Sequence, residues 1–250
     1  MQNVETSTDK RLEKVRKLLA LAESPAATAQ EAETFTAKAA ELIAEYGIDE
    51  ALLAATAPDE NGIEKRVMVL HAPYARDKAT LAYAVATALG VQGVVSPGRD
   101  AQGRKIDELH LFGQKGDMTR VDVLVTSLMM QAARDVNRAI IPPWEDKAAY
   151  RRSWWSGFTK TISTRLREAE AAARYSNESR FASAGTSSAL VVRNRDRDVS
   201  AAVRDEFPRT QTRGRKLSGS GTGAGSAAGR KANLGGTAVN GGRRQIGASA

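Results

Sequence analysis

Charge is segregated along this chain, and this segregation limits how much of it can form a packed domain. Residues 1–208 contain 29 Lys and Arg residues against 29 Asp and Glu residues, whereas residues 209–250 contain eight bases and no acid. The last segment is also rich in Gly and Ser, and such a polar chain buries too little apolar surface to fold by itself. We therefore expect residues 209–250 to form a flexible, disordered basic tail behind a charge-neutral fold.

Two amphipathic helices joined by a short turn are predicted at the N-terminus. Apolar residues recur at helical spacing before Pro25, which ends the first pattern. Thr28 and Glu31 have the spacing of a capping box, and the apolar stripe that follows them ends at Gly47. The sequence thus predicts a helical hairpin domain over residues 1–57.

After the polar stretch at residues 58–62, the period of the apolar residues changes from that of a helix to that of a strand. The pattern from there predicts a strand, a helix, two strands, two long helices, a short strand and a last helix. Their ranges are 67–71, 81–89, 91–95, 106–112, 115–136, 150–174, 189–192 and 197–206. The predicted fold class is α+β, in which a small, mainly antiparallel sheet packs with helices over residues 63–208.

Composition excludes several classes of protein. The chain has no cysteine, which excludes disulfides, thiolate catalysis and Cys-ligated metal sites. It has no apolar run of 18 residues, so we expect no membrane partner, and its N-terminus does not have the pattern of a signal peptide. The expected location is the cytoplasm.

The sequence contains no recognisable catalytic motif. A nucleophile elbow, a Walker A loop and a dinucleotide fingerprint are all missing, and the Gly-rich stretches follow residue 213 instead of a strand. These observations favour a protein that is not an enzyme and holds no metal or cofactor.

Two arrangements of polar residues nevertheless offer a metal-dependent hydrolase, a nuclease or protease, as an alternative. His71, Glu108 and His110 lie on predicted strands and would form a two-His, one-carboxylate site if the strands were neighbours. A second grouping places carboxylates and a lysine around one strand, as a nuclease requires. Its members are Asp107, Glu108, Lys115 and Asp117. Packing on a strand face and charges along an exposed edge explain both groupings equally well.

The N-terminal helices resemble a known family. The segments KVRKLLALAES and EAETFTAKAAELIAEYGI, within residues 10–50, are similar to the bacterial and phage proteins called domain of unknown function 2786. The region around Trp155 and Phe158 and the stretch AAGRKANLGG are similar to the segment that commonly follows in such proteins. The resemblance implies an accessory protein of phage or mobile-element type, and it implies no catalytic residues.

The basic tail is the main functional indication, because each base placed on a phosphate releases condensed counterions. Exposed bases of the 150–174 helix would extend its surface, and Trp144 and Trp154 beside them would either stack on bases or pack at the edge of the core. The hypothesis is non-sequence-specific binding of DNA or RNA through this arm. The alternative is a structural module that binds a protein partner, or itself, through the helical hairpin. The predicted nucleic-acid-binding residues are Arg213, Arg215, Lys216, Arg230, Lys231, Arg243, Arg244, Lys160 and Arg167.

Overall fold

A three-stranded antiparallel sheet forms the centre of the fold. The computed structural model describes residues 62–212 and 214–234, together with single positions between Glu13 and Leu42. The strands are β1 (Ile63–His71), β2 (Gln92–Arg99) and β3 (Lys105–Gln114), and β3 lies between the other two. The α+β class and the small antiparallel sheet are thus confirmed.

Six helices are found in the two continuous ranges. Helix α1 connects β1 to β2, and the other five follow β3 along the chain. Their bounds are α1 Ala75–Ala88, α2 Lys115–Arg138, α3 Lys147–Ser176, α4 Glu178–Ser183, α5 Ser188–Glu206 and α6 Thr222–Lys231. In the described part of the chain, no helix is both apolar enough and long enough to cross a bilayer.

Alternation along β3 gives the sheet two different faces. Leu109 and Leu111 are fully buried on the face that packs on helices α1 and α2. On the opposite face, the ring of Phe112 contacts Phe207, which directly follows α5. The helix face therefore carries most of the core, and α5 covers one end of the other face.

Helix α3 packs on α1 through the apolar stripe that its sequence predicts. Trp155, Phe158, Ile162 and Leu166 are all buried. They step by three or four residues, so they occupy one side of a 3.6-residue helix. The side chain of Asp146 caps the first turn by accepting a hydrogen bond from the Ala149 amide at 2.7 Å.

The predicted strand at residues 189–192 is wrong, because this segment lies in helix α5. Ser187 caps that helix by accepting a hydrogen bond from the Leu190 amide at 3.2 Å. Val191 and Val199 then bury one side of it. A four-residue apolar run fits a strand or a helix equally well. The cap at Ser187 and the burial of Val199, farther along the chain, identify this segment as a helix.

The prediction of a flexible tail from residue 209 is corrected over residues 214–234. Helix α6 lies alongside α3 and runs in the same direction, because successive glycines of α6 meet successive turns of α3. The segment that follows α6 reaches the core, where Ala232 and Leu234 are buried. The polar composition of this segment predicted disorder because it contains few large apolar side chains. The docking of α6 needs few of them, since it depends on the close approach of two helix backbones. Residues 213 and 235–250 lie outside the described residues.

The predicted hairpin domain over residues 1–57 lies almost wholly outside the described residues. The single positions that are described between Glu13 and Leu42 are helical. Val15 is 1% exposed and belongs to the same core cluster as the sheet and α3. At this position, the N-terminal segment therefore packs on the rest of the chain.

Candidate functional site

The described members of the predicted nucleic-acid-binding set are all exposed. Lys160 and Arg167 lie on α3, and Arg215 and Lys216 lie in the connector that leads to α6. Arg230 and Lys231 form the last turn of α6. Arg213, Arg243 and Arg244 fall outside the described residues, so their contribution stays a prediction.

Bases on α3 form a stripe along one side of the helix. Arg152, Lys160 and Arg167 are separated by eight and seven residues, which is close to two helical turns each. Ser156 and Ser163 lie between them on the same side. We call these five residues the α3 stripe, which lies beside the apolar side of α3 that packs on α1. Arg152, Ser156, Lys160 and Arg167 are exposed, whereas Ser163 is buried at 8% exposure.

A pocket of about 320 Å³ opens where the α3 stripe meets α1 and the connector. We call it the α1–α3 pocket. Its polar lining combines one carboxylate, one ammonium group and four hydroxyls from the two helices. These residues are Asp77, Thr80, Ser156, Thr159, Lys160 and Ser163.

The connector closes one side of this pocket. Arg215 and Leu217 line it from residues that precede α6, and Trp155 forms part of its apolar wall. Two predicted binding residues, Lys160 and Arg215, are therefore brought into one cavity although they lie far apart in the sequence. The cavity's volume is at the lower end of the range for small-ligand sites.

Arg215 forms an ion pair with Asp77 in this pocket. Its Nη1 donates to Oδ1 of Asp77 at 2.8 Å. Asp77 is only 6% exposed, and burial raises the pKa of its carboxyl, while the charges of Arg215 and Arg152 oppose that rise. A guanidinium has five N–H donors, so Arg215 keeps donors for a second anion.

The ion pair predicts a measurable titration. In the variant Arg215→Gln we expect the pKa of Asp77 to rise further, because both the charge and the hydrogen bond that oppose burial are lost. Carboxyl carbon NMR measures this pKa directly. The matched control is Lys216→Gln, which removes the neighbouring exposed charge and should leave Asp77 unchanged. An unchanged Asp77 titration in Arg215→Gln would contradict the ion pair.

The same titration sets the sign of a pH effect on stability. A carboxyl whose pKa is higher in the folded state than its ordinary value of 3.8 binds more protons when folded. Asp77 therefore lowers the free energy of unfolding as pH rises from 3.8 through its raised pKa. We expect this loss to cover a wider pH window in Arg215→Gln, as measured by denaturant unfolding at several pH values.

The predicted metal arrangement is only partly assembled. Glu108 and His110 share a face of β3 as predicted, with their Oε2 and Nε2 atoms 3.7 Å apart. His71 lies opposite Ile106 in the register, and the ring of His110 contacts that of Phe207 instead. Among the described residues, no three His, Asp or Glu side chains come close enough together to hold an ion.

The grouping proposed for a nuclease is divided by the pleat of β3. Asp107 faces α1 and pairs with Arg76 at 2.6 Å, whereas Glu108 points to the opposite face. Asp117 is buried and pairs with Arg195 at 2.9 Å. These carboxylates therefore do not converge on a common point, and the grouping considered as an alternative for a nuclease is not formed.

The two tryptophans considered as stacking platforms have different environments. Trp154 is 2% exposed and stacks on Phe158 with a ring-centroid separation of 5.2 Å. Trp154 is therefore a core residue, which agrees with the alternative that it packs in the core and does not stack on bases. Trp144 is 87% exposed in the connection between α2 and α3.

A buried ionic network was not foreseen from the sequence. Arg120 of α2 pairs with Asp117 at 3.3 Å and with Glu170 of α3, and Arg195 of α5 reaches the same aspartate. The sequence signals only the local pair, since Asp117 and Arg120 have the i, i+3 spacing at which side chains on a helix meet. Glu170 lies 50 residues from Arg120, and Arg195 belongs to another helix, so neither of these contacts follows from a local pattern.

Comparison with known proteins confirms the resemblance of the N-terminal segment. A family model described as "Protein of unknown function (DUF2786)" matches residues 10–50. No curated protein and no solved structure gives a significant match to the chain. The matched segment does not include the α3 stripe or the α1–α3 pocket.

Proposed function

We propose that this protein binds DNA or RNA without sequence specificity, through phosphate contacts to the α3 stripe and to the bases that follow residue 208. The observation that carries the proposal is the meeting of Lys160 and Arg215 at one pocket. Helix α3 and the connector before α6 thereby present these two charges on the same side of the molecule. Phosphate contacts of this kind give affinity and orientation but do not read sequence.

The charges on this surface are available to a ligand. Lys160 and Arg167 are exposed, and no acidic partner is found for either among the described residues. Lys216, Arg230 and Lys231 are exposed in the same way. An anion that binds them does not have to displace an existing ion pair, which favours a polyanionic partner.

The packing of α6 decides how the proposal must be tested. Removal of residues 209–250 would also remove α6, whose glycines contact the backbone of α3, so a loss of binding would be confounded by damage to the fold. Substitutions on exposed positions avoid this problem. Lys160→Gln combined with Arg167→Gln removes two charges from the α3 stripe without touching the core.

The measurement is fluorescence-polarisation binding to single-stranded DNA, double-stranded DNA and RNA over a salt series. For double-stranded DNA we expect Lys160→Gln/Arg167→Gln to reduce the slope of log K against log salt by about 2, since each lost phosphate contact removes about 0.9. The matched control is Arg193→Gln/Arg204→Gln, which removes the same charge from exposed positions of α5. This control should retain the wild-type slope.

Two results would contradict the proposal. An equal loss of affinity in both double variants would mean that net charge alone governs binding. The absence of binding by the wild-type chain at low salt would exclude nucleic acid as a partner, and the hypothesis of a protein partner at the helical hairpin would then be the one to pursue.

A further inference from the structure

We propose that the α1–α3 pocket binds a phosphate monoester, either the phosphorylated end of a nucleic-acid strand or a free nucleotide. The inference deepens the proposed function, on which its first source depends. It assigns the pocket to a terminal phosphate, and the stripe residues outside the pocket, Arg152 and Arg167, to internal phosphates. Its basis is the donor set, the charge and the size of the pocket.

The hydroxyls of α3 are arranged as a set of donors. Ser156, Thr159 and Ser163 are three and four residues apart, so their side chains lie on adjacent turns of one side of the helix. No hydrogen-bond partner is found for these hydroxyls among the residues that the structure describes. Thr80, across the pocket on α1, already donates to the carbonyl of Arg76 at 2.7 Å. The free donors therefore come from α3.

The pocket carries an excess of positive charge. Asp77 is its one carboxylate and is paired with Arg215, so this pair is close to neutral as a unit. Lys160 adds an ammonium group, and Arg152 lies close enough to act on the charge of Asp77. An anion can thus receive hydrogen bonds from hydroxyls, an ammonium group and the remaining guanidinium N–H groups.

The number of donors favours a monoester over a diester. A phosphate monoester carries a charge of about −1.5 to −2 at pH 7 and three strong acceptor oxygens. A backbone diester has one charge and two free oxygens, and its chain must continue in both directions. The concave pocket suits a group at the end of a chain, whereas the exposed Arg152 and Arg167 of the α3 stripe, which do not line the pocket, suit a strand that passes along the helix.

The size and the apolar wall define the rest of the ligand. A cavity of about 320 Å³ exceeds the space that one phosphate group needs. Trp155, Ala84 and Leu217 supply an apolar surface beside the donors. A sugar or part of a base attached to the phosphate would cover this surface, and this arrangement of polar and apolar walls is typical of small-ligand sites.

The experiment compares one short oligonucleotide in three forms, with a 5′-phosphate, with a 3′-phosphate, or with hydroxyls at both ends. We expect the intact chain to bind one phosphorylated form about tenfold more tightly than the hydroxyl form. The ratio of the two affinities is the readout, so general changes in strand binding cancel. A nucleoside monophosphate is titrated separately to test the free nucleotide as a source.

A variant without any change of charge assigns the effect to the pocket. Thr159→Val with Ser163→Ala removes two hydroxyls and should abolish the tenfold ratio. The matched control is Thr164→Val, at an exposed position of the same helix that does not line the pocket, and it should keep the ratio. Thermal unfolding of both variants verifies that they fold.

Each outcome bears on the proposal in a defined way. A ratio of one for both ends, together with no binding of the nucleoside monophosphate by the wild-type chain, overturns it without any variant. Retention of the ratio in Thr159→Val/Ser163→Ala also overturns it. Binding of the nucleoside monophosphate in the absence of strand binding supports the pocket and contradicts the proposed nucleic-acid function. Strand binding that ignores the terminal phosphate, without binding of the nucleoside monophosphate, supports the proposed function and overturns the assignment of the pocket.

Discussion

Replacement of Gly225 by alanine should lower the free energy of unfolding by about 3 kcal/mol, the upper end of the usual cost of overpacking, because the new methyl group has no space. A Cβ at Gly225 would lie 2.7 Å from the carbonyl carbon of Trp154 and even closer to its oxygen. Backbone atoms of a helix cannot move aside as the end of a side chain can. The substitution therefore separates α6 from α3, and denaturant unfolding together with hydrogen exchange at α6 amides measures the loss.

The same helix contains its own control at Gly223. A Cβ added there would meet no atom within 4 Å, and the position is exposed. Alanine has a higher helix propensity than glycine, so Gly223→Ala should stabilise the protein by about 0.5–1 kcal/mol. Similar destabilisation by the two substitutions would show that α6 does not pack through its glycine face.

Polar contacts at both ends of α6 explain why so polar a segment docks in one position. Glu145 accepts a hydrogen bond from the Ser220 amide at 2.6 Å, just before the helix. Arg165 donates to the Ala232 carbonyl at 2.8 Å, just after it. An acidic group at the N-terminus and a basic group at the C-terminus both oppose the partial charges of the helix ends. Composition alone contains none of this positional information.

The spacing of the glycines is the signal by which this docking could have been predicted. Gly221 at the N-cap of α6 and Gly225 and Gly229 within it are four residues apart and lie on one side of the helix. Gly157 of α3 is also in close contact with this helix. Small residues at this spacing allow two helices to approach closely. An average composition treats every glycine as a source of flexibility. On one face of α6, by contrast, a glycine allows the helix to approach its neighbour closely.

Long helices and strands were predictable because many residues in each of them follow the same apolar period. The expected helix at residues 115–136 is confirmed as part of α2, and that at 150–174 as part of α3. Residues 67–71 and 106–112 are likewise confirmed within β1 and β3. The strand at 189–192 failed because four residues give too few observations to distinguish a period of two from one of 3.6.

The candidate site shows the same limit of local patterns. The exposure of Lys160 and Arg167 follows from their place opposite the apolar side of α3. The ion pair of Arg215 with Asp77 joins residues 138 positions apart, and no local pattern in the sequence contains such a pair. The bases are recognisable from the sequence, but the pocket in which two of them meet is formed only by the tertiary structure.

Removal of Arg120 should have the other large effect on stability. Arg120 is 2% exposed and pairs with Asp117 and Glu170. Desolvation alone would lower its pKa, but the two carboxylates outweigh this effect and hold the pKa above its ordinary value. The guanidinium therefore stays charged inside the fold. Its replacement leaves carboxylates with fewer partners in a medium that solvates them poorly.

We expect Arg120→Met to lower the free energy of unfolding by about 3–5 kcal/mol, the usual cost when one partner of a buried ion pair is removed. The exposed Arg134 provides the control, since among the described residues it pairs only with its sequence neighbour Asp135. Arg134→Met should change stability by less than about 0.5 kcal/mol. If the cost arises from the stranded carboxylate, then Arg120→Met/Glu170→Gln should recover part of it in denaturant unfolding. No recovery would mean that Arg120 acts mainly through packing of its side chain between α2 and α3, because the double variant removes the uncompensated charge but not the lost contacts.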